Sequence, residues 1–169
     1  LIVLQYGLNV MSPDVLKYDS YSKTFTRIIR YVQQCFPGAS ILVMGVGDRS
    51  TLRDGQFVTM PAVKGMIDAQ RKAAEAAGVA FWNTFDAMGG HNSMVRFVEK
   101  HWAAKDYTHI GYTGGKYVAD RLVDALITGV DSMRREIELR ERIDRLLKYD
   151  SVAIDFRVPD TALPLQPSL

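Results

Sequence analysis

The chain has 169 residues, 47% hydrophobic and 24% charged, with a formal net charge of +2 at neutral pH. That length fits one domain with a sizeable core and is too short for two ordinary ones, and the balance excludes disorder, collagen and low-complexity tethers. Lys+Arg (21) and Asp+Glu (19) are too even, with no basic block, to point to nucleic acid, and no apolar run reaches the ~18 residues that cross a bilayer.

The chain opens on Leu1, Ile2, Val3 and Leu4, a continuous apolar run with no Met and no polar lead-in. Such a run reads as a parallel strand buried on both faces. A domain seldom starts on its most buried strand, so the expectation is that sequence precedes it. If the fragment folds alone, burial of this strand wants neighbours that the chain does not supply, and exposed apolar surface or a partner fragment is expected.

Residues 18–35 carry Tyr21, Phe25, Ile28, Ile29 and Val32 at helical spacing, with Lys23, Arg27 and Arg30 elsewhere. Cys35, the single cysteine, excludes an internal disulfide and a thiolate metal cluster; in YVQQCF it reads as an inert core thiol on the apolar side of that helix. Pro37-Gly38 ends the helix, and ILVMGV over residues 41–46 is a second buried strand. GDRSTLRDGQ follows as a polar loop, then a helix from Pro61 to about Ala77 with Gly78 as its stop. VAFW over residues 79–82 is a third strand, and helices are expected over 94–100 and from Gly114 to about Ile127.

Strand and helix in alternation argue an α/β fold with a parallel sheet covered by helices on both faces. Chemistry in such folds gathers at the carboxyl ends of the strands, where Gly7-Leu8-Asn9, residues 45–49 and residues 83–88 should converge. Beyond Val130 the chain turns charge-dense. The expected organisation is one domain over 1–130, a charged helix over 131–150, and a Pro-containing extended tail or linker over 151–169.

The chemistry centres on KDYTHIGYTGG, where Asp106 and His109 stand three apart ahead of a glycine-rich helix start. A carboxylate accepting from one imidazole nitrogen fixes the ring, leaving the other nitrogen to take a proton from a hydroxyl nucleophile. Taken alone, the pair reads equally as a capping Asp and a surface His. Gly7 and Asn9 follow the first strand, where a small residue admits close approach and an Asn amide can donate to an oxyanion. The plain alternative is a strand-end turn in which Asn bonds its own backbone.

Together and in this order, YGLN and DYTHIG resemble the third and fourth sequence blocks of the SGNH (GDSL-like) hydrolases, and the resemblance covers residues 1–128. It implies a flavodoxin-like three-layer α/β/α sandwich, missing its N-terminal strands here. It also implies His109 as general base, Asp106 as its orienting carboxylate, Asn9 as oxyanion donor and Gly7 as the shaper of the turn. VMGVGDRS, FWNTFDAMGGHNSM and KDYTHIGYTGGKYVAD look like a subgroup of bacterial, often secreted proteins similar to peptidoglycan and polysaccharide O-acetylesterases. That subgroup implies an acylated carbohydrate as substrate and a periplasmic or secreted location.

The family's Gly-Asp-Ser nucleophile block and second-block glycine should precede YGLN, and the chain has neither. A partner segment upstream is therefore expected to carry the nucleophile, and without it only residual catalysis should remain. Ser50 in GVGDRST echoes the nucleophile block but falls after the third block, and reads as a loop serine. Ser93 reads as the N-cap of the helix from Met94 or, with Asp48 and Tyr107, as a substrate contact. His91 and His101 with His109 fit no zinc spacing, so neither metal nor cofactor is expected. Trp82 and Trp102 read as packing, with Trp102 and Tyr107 the better pocket-lining candidates. A serine esterase removing short acyl groups, and a non-catalytic carbohydrate-binding or scaffolding domain that retains the fold, are the two functional readings.

Overall fold

The computed structural model describes residues 1–153, with side chains to residue 148. Three parallel strands, β1 (Ile2–Leu4), β2 (Ile41–Met44) and β5 (Ala80–Trp82), form a sheet in the order β1-β2-β5. Leu4 pairs with Val43, and Val43 with Phe81. Helix α1 (Asp19–Cys35) joins β1 to β2, and α2 (Ala62–Ala77) precedes β5. The two crossovers step the same way across the sheet, which puts α1 and α2 on one face.

Side chains alternate across that sheet. Leu4, Ile41 and Val43 bury against Phe25 and Ile29 of α1 and Ala73 and Ala74 of α2. One residue on from Phe81, Trp82 points to the opposite face and packs with Met88, Met94, Phe97 and Val118. Those residues come from α3 (Thr84–Met88), α4 (Ser93–Glu99) and the start of α5 (Tyr112–Ala153). The result is a three-layer α/β/α arrangement. Each fully buried Ile, Val or Phe of these layers contributes about 1.5–3 kcal/mol.

Several expectations change. The first strand is not covered on both faces: Leu1 is 73% and Val3 44% exposed, and only Leu4 is buried. The reason is that β1 pairs with β2 alone and is an edge of the described sheet. Cys35 is exposed, not a core thiol, because as the last residue of α1 it lies off the face that Phe25 and Ile29 bury. The loop after β2 contains an antiparallel hairpin, β3 (Ser50–Arg53) and β4 (Gln56–Thr59), turned by Asp54 and Gly55, both at positive φ. Asp-Gly is the sequence signature of such a turn.

The helices expected after Gly114 and after Val130 are one continuous α5. Residues 1–125 form one compact unit, and 126 onward a second. In the second, the side chains of residues 126–148 are all exposed, and Glu136–Arg140 (2.7 Å) pairs along the helix. The first three residues of the expected tail continue α5, and the remainder lies outside the described residues. No described helix is long and apolar enough to cross a membrane.

Candidate active site

The loop between α4 and α5 is built around one side chain. Asp106 Oδ1 accepts from the backbone N–H groups of Thr108 (2.9 Å) and His109 (3.0 Å). Its Oδ2 lies 2.7 Å from His109 Nδ1. A spacing of three thus works through an Asx-type turn, in which the carboxylate holds its own loop and the ring together. The bond to the His109 ring, followed by those to the His109 and Thr108 amides, holds the Asp106 carboxyl at about 2, below its usual 3.8. With Nδ1 spent as donor to an ionised carboxylate, Nε2 of neutral His109 is the free acceptor. The His109 side chain is 69% exposed, so that nitrogen is open to an incoming group.

Tyr107, between these two residues, is at φ +56°. Its ring stacks on Phe57 of β4, with centroids 3.7 Å apart and planes 10° from parallel. The first turn of α5 comes in close behind: a Cβ on Gly114 would collide with the Trp102 carbonyl oxygen, which explains the glycine in the helix start.

At the carboxyl end of β1, Gly7 is at φ +105° and caps a 3-10 turn over Leu8–Val10 that carries the exposed Asn9. Gly7 is also hemmed in: a Cβ there would lie 3.0 Å from both Gln70 Nε2 and Tyr21 Oη. The positive φ favours glycine, and a side chain there would also push these two neighbours back. A cavity of about 780 Å³ opens here, lined by Gly7, Leu8, Asn9, Val46, Gly47 and Ile110 among others. It brings together the end of β1, the end of β2 and the residue after His109. The third converging segment, residues 83–88, reaches the same edge from beneath, since a Cβ on Gly47 would meet Met88 Sδ at 2.7 Å.

Ser93 and Asp48 stand inside this edge rather than on it. Ser93 is fully buried and Asp48 nearly so. Asp48 Oδ2 accepts from the Met94 N–H (2.8 Å) and from Ser93 Oγ (3.4 Å). Asn92, not Ser93, occupies the N-cap of α4, and the carboxylate that satisfies the first turn arrives from β2's end. Burial separates both side chains from an incoming substrate. Ser50 Oγ is likewise buried, and its N–H donates to Tyr107 O (3.0 Å). Trp82 and Trp102 pack in the layer against α4 and α5. His91 and His101 are exposed, and no three of His, Cys, Asp and Glu cluster as a metal site among the described residues.

Two residues at this edge escape a reading by motif. Gln70 of α2 is fully buried; its Nε2 donates to Tyr6 O (2.6 Å), and its Oε1 accepts from Val46 N–H (2.9 Å). One amide therefore holds the ends of β1 and β2 at a fixed separation. Arg49 Nη1 donates to Leu8 O (3.1 Å). A glutamine in a helix and an arginine in a polar loop carry no local signal of such reach; only Asp54-Gly55 announced the hairpin that positions Arg49.

No family profile and no curated protein sequence matches the chain. Its structure is similar to a solved structure of a peptidoglycan O-acetylesterase, with a TM-score of 0.69 and 26% identity; the match covers 77% of this chain and 37% of that one. The chain spans well under half of that protein's length. The fold is accordingly an α/β/α sandwich of the SGNH-hydrolase kind.

Proposed function

We propose that these residues supply the base, its orienting carboxylate and an oxyanion donor of a serine-type carboxylic ester hydrolase. The substrate is carbohydrate bearing O-acetyl or similar short acyl groups. The observation that carries this reading is the 2.7 Å contact between His109 Nδ1 and Asp106 Oδ2 at the carboxyl edge of a parallel sheet. The likeness to a peptidoglycan O-acetylesterase supports the substrate class.

On this reading the serine comes from a segment outside residues 1–169, and the buried hydroxyls of Ser50 and Ser93 do not take its place. In the acylation step His109 Nε2 takes the serine proton as the Oγ–C bond forms, and the Asn9 amide donates to the carbonyl oxygen as it becomes an oxyanion. Collapse breaks the ester C–O bond, and the sugar alkoxide leaves with the proton from His109. Water then attacks the acyl-enzyme by the same route, releasing the acid and restoring the serine.

The test is a fluorophosphonate probe, read by intact mass and peptide mapping on the protein that carries this chain. The expected result is one adduct on a serine outside these residues, with labelling and ester hydrolysis lowered about 10²–10⁴-fold by D106N or H109A. An adduct on Ser50 or Ser93 overturns the assignment of an external nucleophile. No adduct at all favours a carbohydrate-binding domain that retains the fold.

A further inference from the structure

The two halves of the candidate site lie far apart in sequence, and two consecutive residues join them. Arg49 Nη1 donates to the carbonyl of Leu8, the residue between Gly7 and Asn9, at 3.1 Å. The N–H of Ser50 donates to the carbonyl of Tyr107, one of the two residues between Asp106 and His109, at 3.0 Å. The turn that presents Asn9 and the turn that presents His109 are thus tied to adjacent points of one chain.

That chain segment is itself held firmly. Ser50 opens β3, and Arg49 O accepts from Met60 N–H (2.7 Å) just beyond β4. Phe57 of β4 stacks on Tyr107 from the other strand. At the far end of β4, Thr59 N–H donates to Asn92 Oδ1 (2.9 Å), and Asn92 N–H donates to Thr59 Oγ1 (2.7 Å), fastening the hairpin to the start of α4.

Arg49 is also an unusual residue to find here. It is half-buried, its Nε is buried with no hydrogen-bond partner, and no carboxylate pairs with it among the described residues. Burying an uncompensated guanidinium is costly, and packing alone gives no reason for it. The bond to Leu8 O does.

We propose that Arg49 is a positioning residue that sets the spacing between the Asn9 amide and the Asp106–His109 pair. It acts through the Leu8 carbonyl on one side and, by way of Ser50, the Tyr107 carbonyl on the other. The inference rests on the hydrolase reading, in which an oxyanion donor and a base must meet one carbonyl group. Misplacing either by about 1 Å costs on the order of 10²-fold in rate.

The test uses the protein that carries this chain together with the serine segment, and in it R49M, which keeps the length and packing of the side chain but loses donor and charge, with R49K as the donor-restoring control. R49Q, whose amide falls short of Leu8, replaces R49M if that variant does not fold. In amide NMR, R49M should move the signals of Leu8, Asn9 and Val10 together with those of Tyr107 and His109, and R49K should return both sets toward their original positions. In hydrolysis of p-nitrophenyl acetate, kcat should fall about 10²-fold with KM unchanged, and R49K should recover most of the loss.

A raised KM with unchanged kcat would overturn the proposal and make Arg49 a substrate-binding cation. So would a folded R49M whose signals move on the Leu8 side alone. If the unaltered protein hydrolyses no ester, the hydrolase reading fails by itself, and the tie between the two turns still stands or falls on the amide signals.

Discussion

Asp106 spends both carboxylate oxygens on its own loop, and this makes its protonation a direct reporter of the site. The largest stabiliser of its charged form is the His109 ring, and the two backbone N–H groups add to it. Because the carboxyl is held at about 2 instead of 3.8, the contribution of this turn to stability is complete above 3.8 and is lost as pH falls from there toward 2. The ¹³C carboxyl signal of Asp106 should therefore titrate near pH 2. In H109A the midpoint should rise yet stay below 3.8, since the Thr108 and His109 amides still donate to Oδ1. An unmoved midpoint in H109A would mean that the ring and the carboxylate do not meet in solution. Both side chains are largely exposed, so added salt should weaken the coupling while leaving the backbone bonds in place.

At the scale of elements, the edge is held by what the helices send into it. Gln70 reaches from α2 to the residues just after β1 and β2, and its loss leaves the buried Val46 N–H and the Tyr6 carbonyl without this partner. Gln70→Leu preserves the volume and removes both bonds, and the orphaned Val46 N–H alone should lower stability in urea unfolding by about 1–3 kcal/mol. Gln70→Glu keeps the acceptor for Val46 but buries a carboxylate against the Tyr6 carbonyl, so it should lose more than Gln70→Leu at neutral pH; equal stability of all three proteins would mean that water takes the place of the amide. The same comparison shows why some of this structure is legible in the sequence. Strands β2 and β5 are apolar runs bounded by Pro37-Gly38 and Gly78, and Asp106 and His109 are three apart, so local pattern suffices for both. Gln70 and its partners Tyr6 and Val46 are 64 and 24 residues apart, and nothing in AVKGMIDAQRK distinguishes a bridging amide from a surface one. Periodicity likewise identifies the apolar side of β1 and α1 but not what covers it, which is why Val3 and Cys35 read as buried. The hairpin is missed for a different reason: STLR and QFVT lack the alternation of a half-buried strand, and the turn residues alone signal it.

Across the whole molecule, burial divides unevenly along the chain. Val63, Met66, Ala73 and Ala74 of α2 are buried, whereas every side chain from Val123 to Lys148 of α5 is exposed. Backbone hydrogen bonds are intact in both helices, so the difference lies in packing and not in secondary structure. An exposed helix is held by propensity and by pairs such as Glu136–Arg140, each worth about 0.3–0.5 kcal/mol. Most helical stability in proteins comes instead from an apolar face packed against neighbours. Native-state hydrogen exchange should separate the two: amides of α2 should open only with the whole domain, while those of residues 126–148 should open with free energies near the ~0 kcal/mol end of the range. The change should fall near residue 125, where the first compact unit ends. The apolar side chains along this stretch, among them Leu126, Val130, Met133 and Ile137, make the result informative in either direction. Protection equal to that of α2 would mean that another surface covers them in solution, and dilution of the protein would then lower that protection if the surface belongs to a second copy.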